Sequence, residues 1–289
     1  MMAAPALIEE HGSGDATPAG WPARLELRFA REPARTVLAA RRHLGPLRVQ
    51  KVLYPEGHDV CQTIIVHPPG GIVGGDSLAI DIEAGSGAHV QVTTPGAAKW
   101  YRSSGAIARS NTTLRVDAGA FVEWLPQDNL LFDGARAAIR LRVDLAGDAR
   151  FIGWDVTTLG RTESGEGFSS GYLRQISELY RDDALLWCER TVLDGGSRAL
   201  QSVAILNGVP VFGTFVAAGV VVHDDMLAAC RTVTCVSGDG AATCLPEVFV
   251  ARYRGDSAHA ARAYFATLWS LLRPVFAGRK AVPPRIWNT

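Results

Sequence analysis

Apolar and polar residues alternate along most of this chain, the period-two signature of half-buried strands. ARLELRFA (23–30) shows it, as does the run where Leu78, Ile80 and Ile82 alternate with Ala79, Asp81 and Glu83. TIIV (63–66), residues 172–180, ALLWCERTVL (184–193) and EVFVARY (247–253) also read as strands. Three segments repeat one another: AIDIEAGSGAHVQV (79–92), TLRVDAGAFVEW (113–124) and RLRVDLAGDARFIGW (140–154). Each is an alternating strand ending in an acidic residue, a short Ala-Gly turn, then a second apolar strand. Units of this length cannot close their apolar edges alone and stack on their neighbours, as in solenoids. The fold predicted is mainly β, an irregular β-helix-like stack of short strands with one or two helices toward the C-terminus.

The helices are few. DSAHAARAYFATLWSLLRP predicts one over 257–273, capped by Asp256 or Ser257 and stopped by Pro274. Its apolar face is Ala261, Tyr264, Phe265, Leu268, Leu271 and Leu272, which either packs on the core or faces a partner. DDMLAACR (224–231) predicts a shorter one. Ser202 to Val222 carries no charge and has the length of a membrane span. Asn207-Gly208, Pro210, Gly213, Gly219 and its many valines instead predict buried strands, SVAIL and VPVFGTFV, joined by a turn.

Composition narrows the class without choosing a function. Hydrophobics are 47% and charged residues 20%, with 29 acidic and 29 basic side chains, so no polyanion-binding footprint is present and no nucleic-acid partner is expected. The cysteines (Cys61, Cys188, Cys230, Cys235 and Cys244) are odd in number, form no C-x-x-C pair, and suit a reducing compartment. No secretory signal and no membrane association are expected. Residues 1–20 read as a disordered lead-in, and 21–289 as a single β-rich scaffold domain.

Several strings invite chemistry. HPPGGIVGGD (67–76) has the glycines of a phosphate cradle, but Ile72, Val73 or Pro69 breaks every G-x-G-x-x-G frame, and a strand follows where a helix is needed. It reads as a strand-joining loop in which glycine reaches positive φ. GFSSG (167–171) matches the nucleophile-elbow pattern with Ser169 as nucleophile, yet a polar loop precedes it. His58, Asp59 and Cys61, and separately His223, Asp224, Asp225 and Met226, gather metal-ligand types without the spacing of a closed site. TTPGAAKWYR (93–102), WLPQDNLLFDGA (124–135) and GRTESGEGFSSG (160–171) mix charges with Gly, Pro and aromatics. Such loops either present binding groups or join neighbouring coils by turns and salt bridges.

Those strings, with the terminal PPRIWNT, resemble the urease accessory protein UreD family (UreH in some species), in order, from about residue 23 to 289. This chain departs at Asp128-Asn129, where the family more often has a glutamate and a small residue, and in a longer N-terminus. The resemblance implies a cytoplasmic, non-enzymatic β-helical scaffold that binds the urease apoprotein and UreF, with the GTPase UreG docking through UreF. It implies no cofactor of its own, only nickel in transit through an internal passage. On that expectation His67, Asp76, Asp128, Glu163 and Glu166 line or flank the nickel route. Lys99, Tyr101, Arg102 and Arg161 join them in a polar seam. Two rival readings stay open: a hydrolase using Ser169, and a stand-alone nickel-binding protein.

Overall fold

A computed structural model of the chain describes residues 20–288. The lead-in expected at residues 1–20 lies outside them, apart from Gly20. The chain enters as two antiparallel pairs, β1 (Pro22–Glu32) with β2 (Arg35–Leu44) and β3 (Arg48–Leu53) with β4 (Val60–Val66). It then winds. β5 (Ser77–Ala84), β6 (His89–Thr93) and the short β7 (Ala98–Trp100) begin a round. β8 (Ala108–Val116), β9 (Phe121–Leu125) and β10 (Asn129–Leu131) repeat it. β11 (Arg136–Leu145) and β12 (Arg150–Leu159) follow the same path, and β13 (Tyr172–Arg181) opens the next round. β5, β8, β11 and β13 stack in parallel in one sheet, and β4, β6, β9 and β12 in the other. The result is a β-solenoid of about four turns.

The sequence repeat marks one corner of each coil. Gly87, Gly119 and Gly147 take φ of +71°, +74° and +51°, which side chains disfavour. Ala88, Ala120 and Ala149 behind them are fully enclosed, so nothing larger fits. The corners lock together: the Gly119 N–H donates to Asp148 Oδ1 (2.6 Å) and the Gly147 N–H to Asp182 Oδ1 (3.0 Å).

β14 (Ala184–Asp194) pairs antiparallel with β13 at the end of the first sheet. α1 (Arg198–Gln201) leads to β15 (Val211–Ala218). After α2 (Asp224–Arg231), β16 (Asp239–Cys244) and β17 (Val248–Gly255) extend the second sheet beyond β12 in the order β12-β15-β17-β16. α3 (Ala258–Ala277) packs across the outer face of β12, β15 and β17. There are therefore two cores. One lies between the sheets and takes Leu25, Phe29, Ile82, Leu114 and Val122; the other lies under α3 and takes Trp154, Phe215, Phe249, Phe265 and Trp269. Each fully buried side chain of this size contributes roughly 1.5–3 kcal/mol. The first sheet has one wet face, so its strands alternate. β12 is covered on both faces, so Phe151 to Trp154 are all buried.

Two expectations are corrected. Residues 202–208 are not a strand. The Asn207 and Gly208 N–H groups return to the Ser202 and Leu200 carbonyls (2.8 Å each), closing the segment on itself and turning Val203 and Ile205 outward. Pro274 does not stop α3 either. A proline in the last turn removes a single N–H, and buried Phe276 carries the helix on to Gly278, whose φ is +65°. The apolar face predicted for α3 is core-packed, with Leu271 at its margin. No helix among the described residues is long and apolar enough to cross a membrane.

Candidate functional site

Opposite the Ala-Gly corners, the longer loops between coils stack on one another. The Ile72 N–H donates to the Lys99 carbonyl and the Tyr101 N–H to the Ile72 carbonyl (2.8 Å each). Phe132 N–H reaches the Trp100 carbonyl (2.9 Å), and Gly134 N–H reaches Ser170 (3.1 Å). HPPGGIVGGD is the first of these loops, with Gly70 and Gly75 at φ of +76° and +93°. Gly71 has a different reason. A β-carbon there would lie 2.0 Å from the Tyr101 ring, so its bareness seats the tyrosine.

The polar residues of these loops divide by task. Asp76 is buried, and its two oxygens accept the N–H groups of Val73 (2.9 Å) and Trp21 (2.8 Å). Asp128 pairs with Arg262, tying a corner to α3. Glu166 accepts the Asp133 N–H (2.7 Å) and a bond from Arg161 (2.9 Å), whose guanidinium holds that carboxyl below its usual range and lies 4.6 Å over the Phe132 ring. Tyr101 meets the same ring edge-on, and Arg102 reaches Asp133 (3.4 Å). Lys99 and Glu163 are exposed. Asp133, a loop carboxylate left out of the expected seam, is the hub. It accepts from Ser169 Oγ (3.1 Å) and from the Ser170 N–H (2.8 Å), and the latter does most to hold its carboxyl low. The serine of GFSSG is thus a loop-fixing donor, and β13 follows it where an elbow needs a helix.

Beneath the loops, between the sheets, lies a cavity of about 400 Å3. His67 and Lys99 reach it, together with Thr112, Asp155, Gln175 and Ser177 from the strands. His67 is half-buried, and burial pushes its imidazole toward the neutral form, with Asp76 opposing in part. Asp155 faces inward from β12 and accepts from Gln175 Nε2 (2.7 Å). Burial, reinforced by the charge of Glu189, pushes its carboxyl up to about 7. Glu189 accepts from Thr214 Oγ1 (2.8 Å) and pairs with Arg252 (2.5 Å) at the open edge of the sandwich. Polar groups therefore line this cavity from His67 to Asp155 and Gln175, and Glu189 continues them to the open edge. Of the five residues expected on a nickel route, His67 alone lines this cavity; Asp76, Asp128 and Glu166 bind backbone or arginine, and Glu163 lies outside it. Asp155, Gln175 and Glu189 escaped the sequence reading, although a polar residue at an inward strand position, as in FIGWDVTTLG, was the available signal.

The other ligand-type groups go elsewhere. Asp59 pairs with Arg31 (2.8 Å) and Arg279 (3.2 Å), and Cys61 is buried. Burial raises the Cys230 thiol to about 11. Among the described residues, no three His, Cys, Asp or Glu side chains gather closely enough to hold a metal ion.

The class of protein is thus a two-sheet β-solenoid roofed by a helix, with stacked loops along one corner and a polar-lined cavity between the sheets. The profile of the family described as UreD urease accessory protein matches residues 22–288, and the chain belongs to that family. It is 51% identical over 275 residues to the urease accessory protein UreD of Nitrosococcus oceani, covering 95% of this chain and 93% of that one. The UreD proteins of Dechloromonas aromatica (over 275 residues) and Pseudomonas aeruginosa (over 270) are each 51% identical, covering 93% of this chain and 95% of theirs.

Proposed function

We propose that this chain is a cytoplasmic scaffold for urease maturation and not an enzyme. It binds the urease apoprotein and UreF, UreG docks through UreF and hydrolyses GTP there, and nickel crosses this chain on its way to urease. The observation that carries the reading is the polar lining of His67, Asp155 and Gln175, continued by Glu189 at the open edge of the sandwich, in a chain of this family. Burying polar groups in an apolar core is costly, so a row of them is retained for what passes along it.

Neutral His67 offers a nitrogen lone pair, and Asp155 can exchange a proton for a cation near neutral pH. Oxygen and nitrogen donors met in succession lower the barrier to a divalent cation without trapping it. The loop carboxylates Asp76, Asp128 and Glu166 hold the roof of this route in place. Co-expression of Asp155→Asn with urease apoprotein, UreF and UreG tests it. The expected result is intact association and nickel-dependent ureolysis reduced by roughly tenfold. Unchanged ureolysis would overturn the route, and loss of association would overturn its separation from scaffolding.

A further inference from the structure

The last coil carries a second concavity, open to solvent, of about 680 Å3. Its floor is apolar, formed by Leu159, Phe168, Leu200, Val209 and Pro210. Two exposed carboxylates stand over that floor: Glu163, on the single turn Thr162–Ser164, and Asp256, in the bend before α3. Neither makes an ion pair or a hydrogen bond among the described residues.

The cations close to them in sequence are engaged elsewhere. Arg161 holds Glu166, and Arg254 binds Asp239 (3.2 Å) and the Val203 carbonyl (2.9 Å). Asp256 is not the cap of α3, because Ser257 Oγ accepts the Ala260 N–H (3.2 Å). The Ser197 hydroxyl also belongs to the lining; it is sealed from solvent and has no partner among the described residues. Val203 and Ile205 stand exposed, at 71% and 44%, on the loop that supplies Gly208 and Val209 to the cleft.

We propose that this cleft receives one arginine or lysine side chain presented by a protein partner on an apolar segment. The aliphatic stem of such a residue lies on the apolar floor while its charged head reaches the carboxylates. Val203 and Ile205 then cover the flanking residues, as the margins of a hot-spot pocket do. A hydrated metal ion has no use for the floor, and an anionic membrane surface carries the wrong sign. The surface is separate from the interior cavity and does not depend on nickel passing through it.

The test uses the full chain, isotopically labelled, titrated with acetyl-Leu-Arg-Leu-amide and with the same peptide carrying citrulline for arginine. Saturable shifts are expected at the amides of Gly167, Gly196 and Gly208, with binding at least tenfold weaker for citrulline. The E163Q/D256N double variant should lose a similar factor. Its carboxylates are exposed, so the rest of its spectrum should be unmoved. Gly167→Leu, at a position where a β-carbon meets nothing within 4 Å, fills the cleft and should abolish binding. Equal binding of the two peptides, or no shift at those amides, would overturn the proposal.

Discussion

Asp155 shows what one residue does to the balance of the whole chain. Its carboxyl sits near 7 in the fold and near the ordinary carboxylate value when unfolded, so the folded state binds the extra proton. Stability from this group is fully present below the unfolded pKa and is lost as pH rises through about 7. Asp155→Asn removes that loss while keeping a side chain of the same shape for Gln175. At pH 8 the variant should resist urea better than wild type by about 4 kcal/mol, and the two should converge toward pH 4. An unchanged midpoint at pH 8 would contradict the placement. A variant that is more stable yet delivers less nickel separates function from folding. This residue was not legible in the sequence because an aspartate within a strand looks the same whether it faces water or the core. Orientation was decided by Phe151 and Leu159 on its own face of β12, which needs the register of the whole coil.

At the scale of the element, α3 is held by more than its apolar face. Arg273, fully buried, reaches Glu123 on β9 (3.0 Å) and Glu56 before β4 (2.6 Å), while Trp269 Nε1 also donates to Glu123. Burial works against the Glu123 charge, but His89 (2.7 Å) and Arg273 outweigh it and hold the carboxyl below its usual range. Removing one member of a buried pair leaves the other charged and uncompensated. Glu123→Gln should therefore cost about 3 kcal/mol in urea denaturation at pH 7. The cost should shrink as pH falls through the lowered carboxyl pKa, where the wild type loses the same charge. The apolar stripe of α3 was readable from 3.6-residue spacing, and α2 from the short run DDMLAACR. Trp269 and Arg273 were not, since an arginine on a helix reads as solvent-facing until two carboxylates are seen to meet it. β7 and β10 are three residues each, and β16 (DGAATC) has too few apolar positions to show a period.

For the whole molecule, the parallel coils were legible because the Ala-Gly corner recurs with the strand. Each coil needs the same positive-φ glycine and the same small residue behind it. The antiparallel caps were harder. β2 breaks its register against β1 at Arg28/Phe29 and exposes most of its side chains, so its alternation is blurred. Local stability should follow this layout. In hydrogen exchange, amides of β5, β8 and β11, paired on both sides, should be the slowest, and those of the edge strands β2 and β16 should exchange at least tenfold faster. Uniform protection across the sheets would argue against a solenoid closed by weaker ends.

Those ends have a consequence of their own. Antiparallel-paired strands close the parallel stack on both sides, β1–β2 and β3–β4 at one end and β14, β15 and β17 at the other. No further coil can be added, and copies cannot polymerise through their parallel strands. With strands about 4.8 Å apart, four stacked coils hold their first and last corner loops roughly 14 Å from each other. The solenoid is thus a gauge block. Its length is written in the number of repeats, so inserting or deleting one coil would change the separation of everything the loops touch without altering a single side chain that touches it.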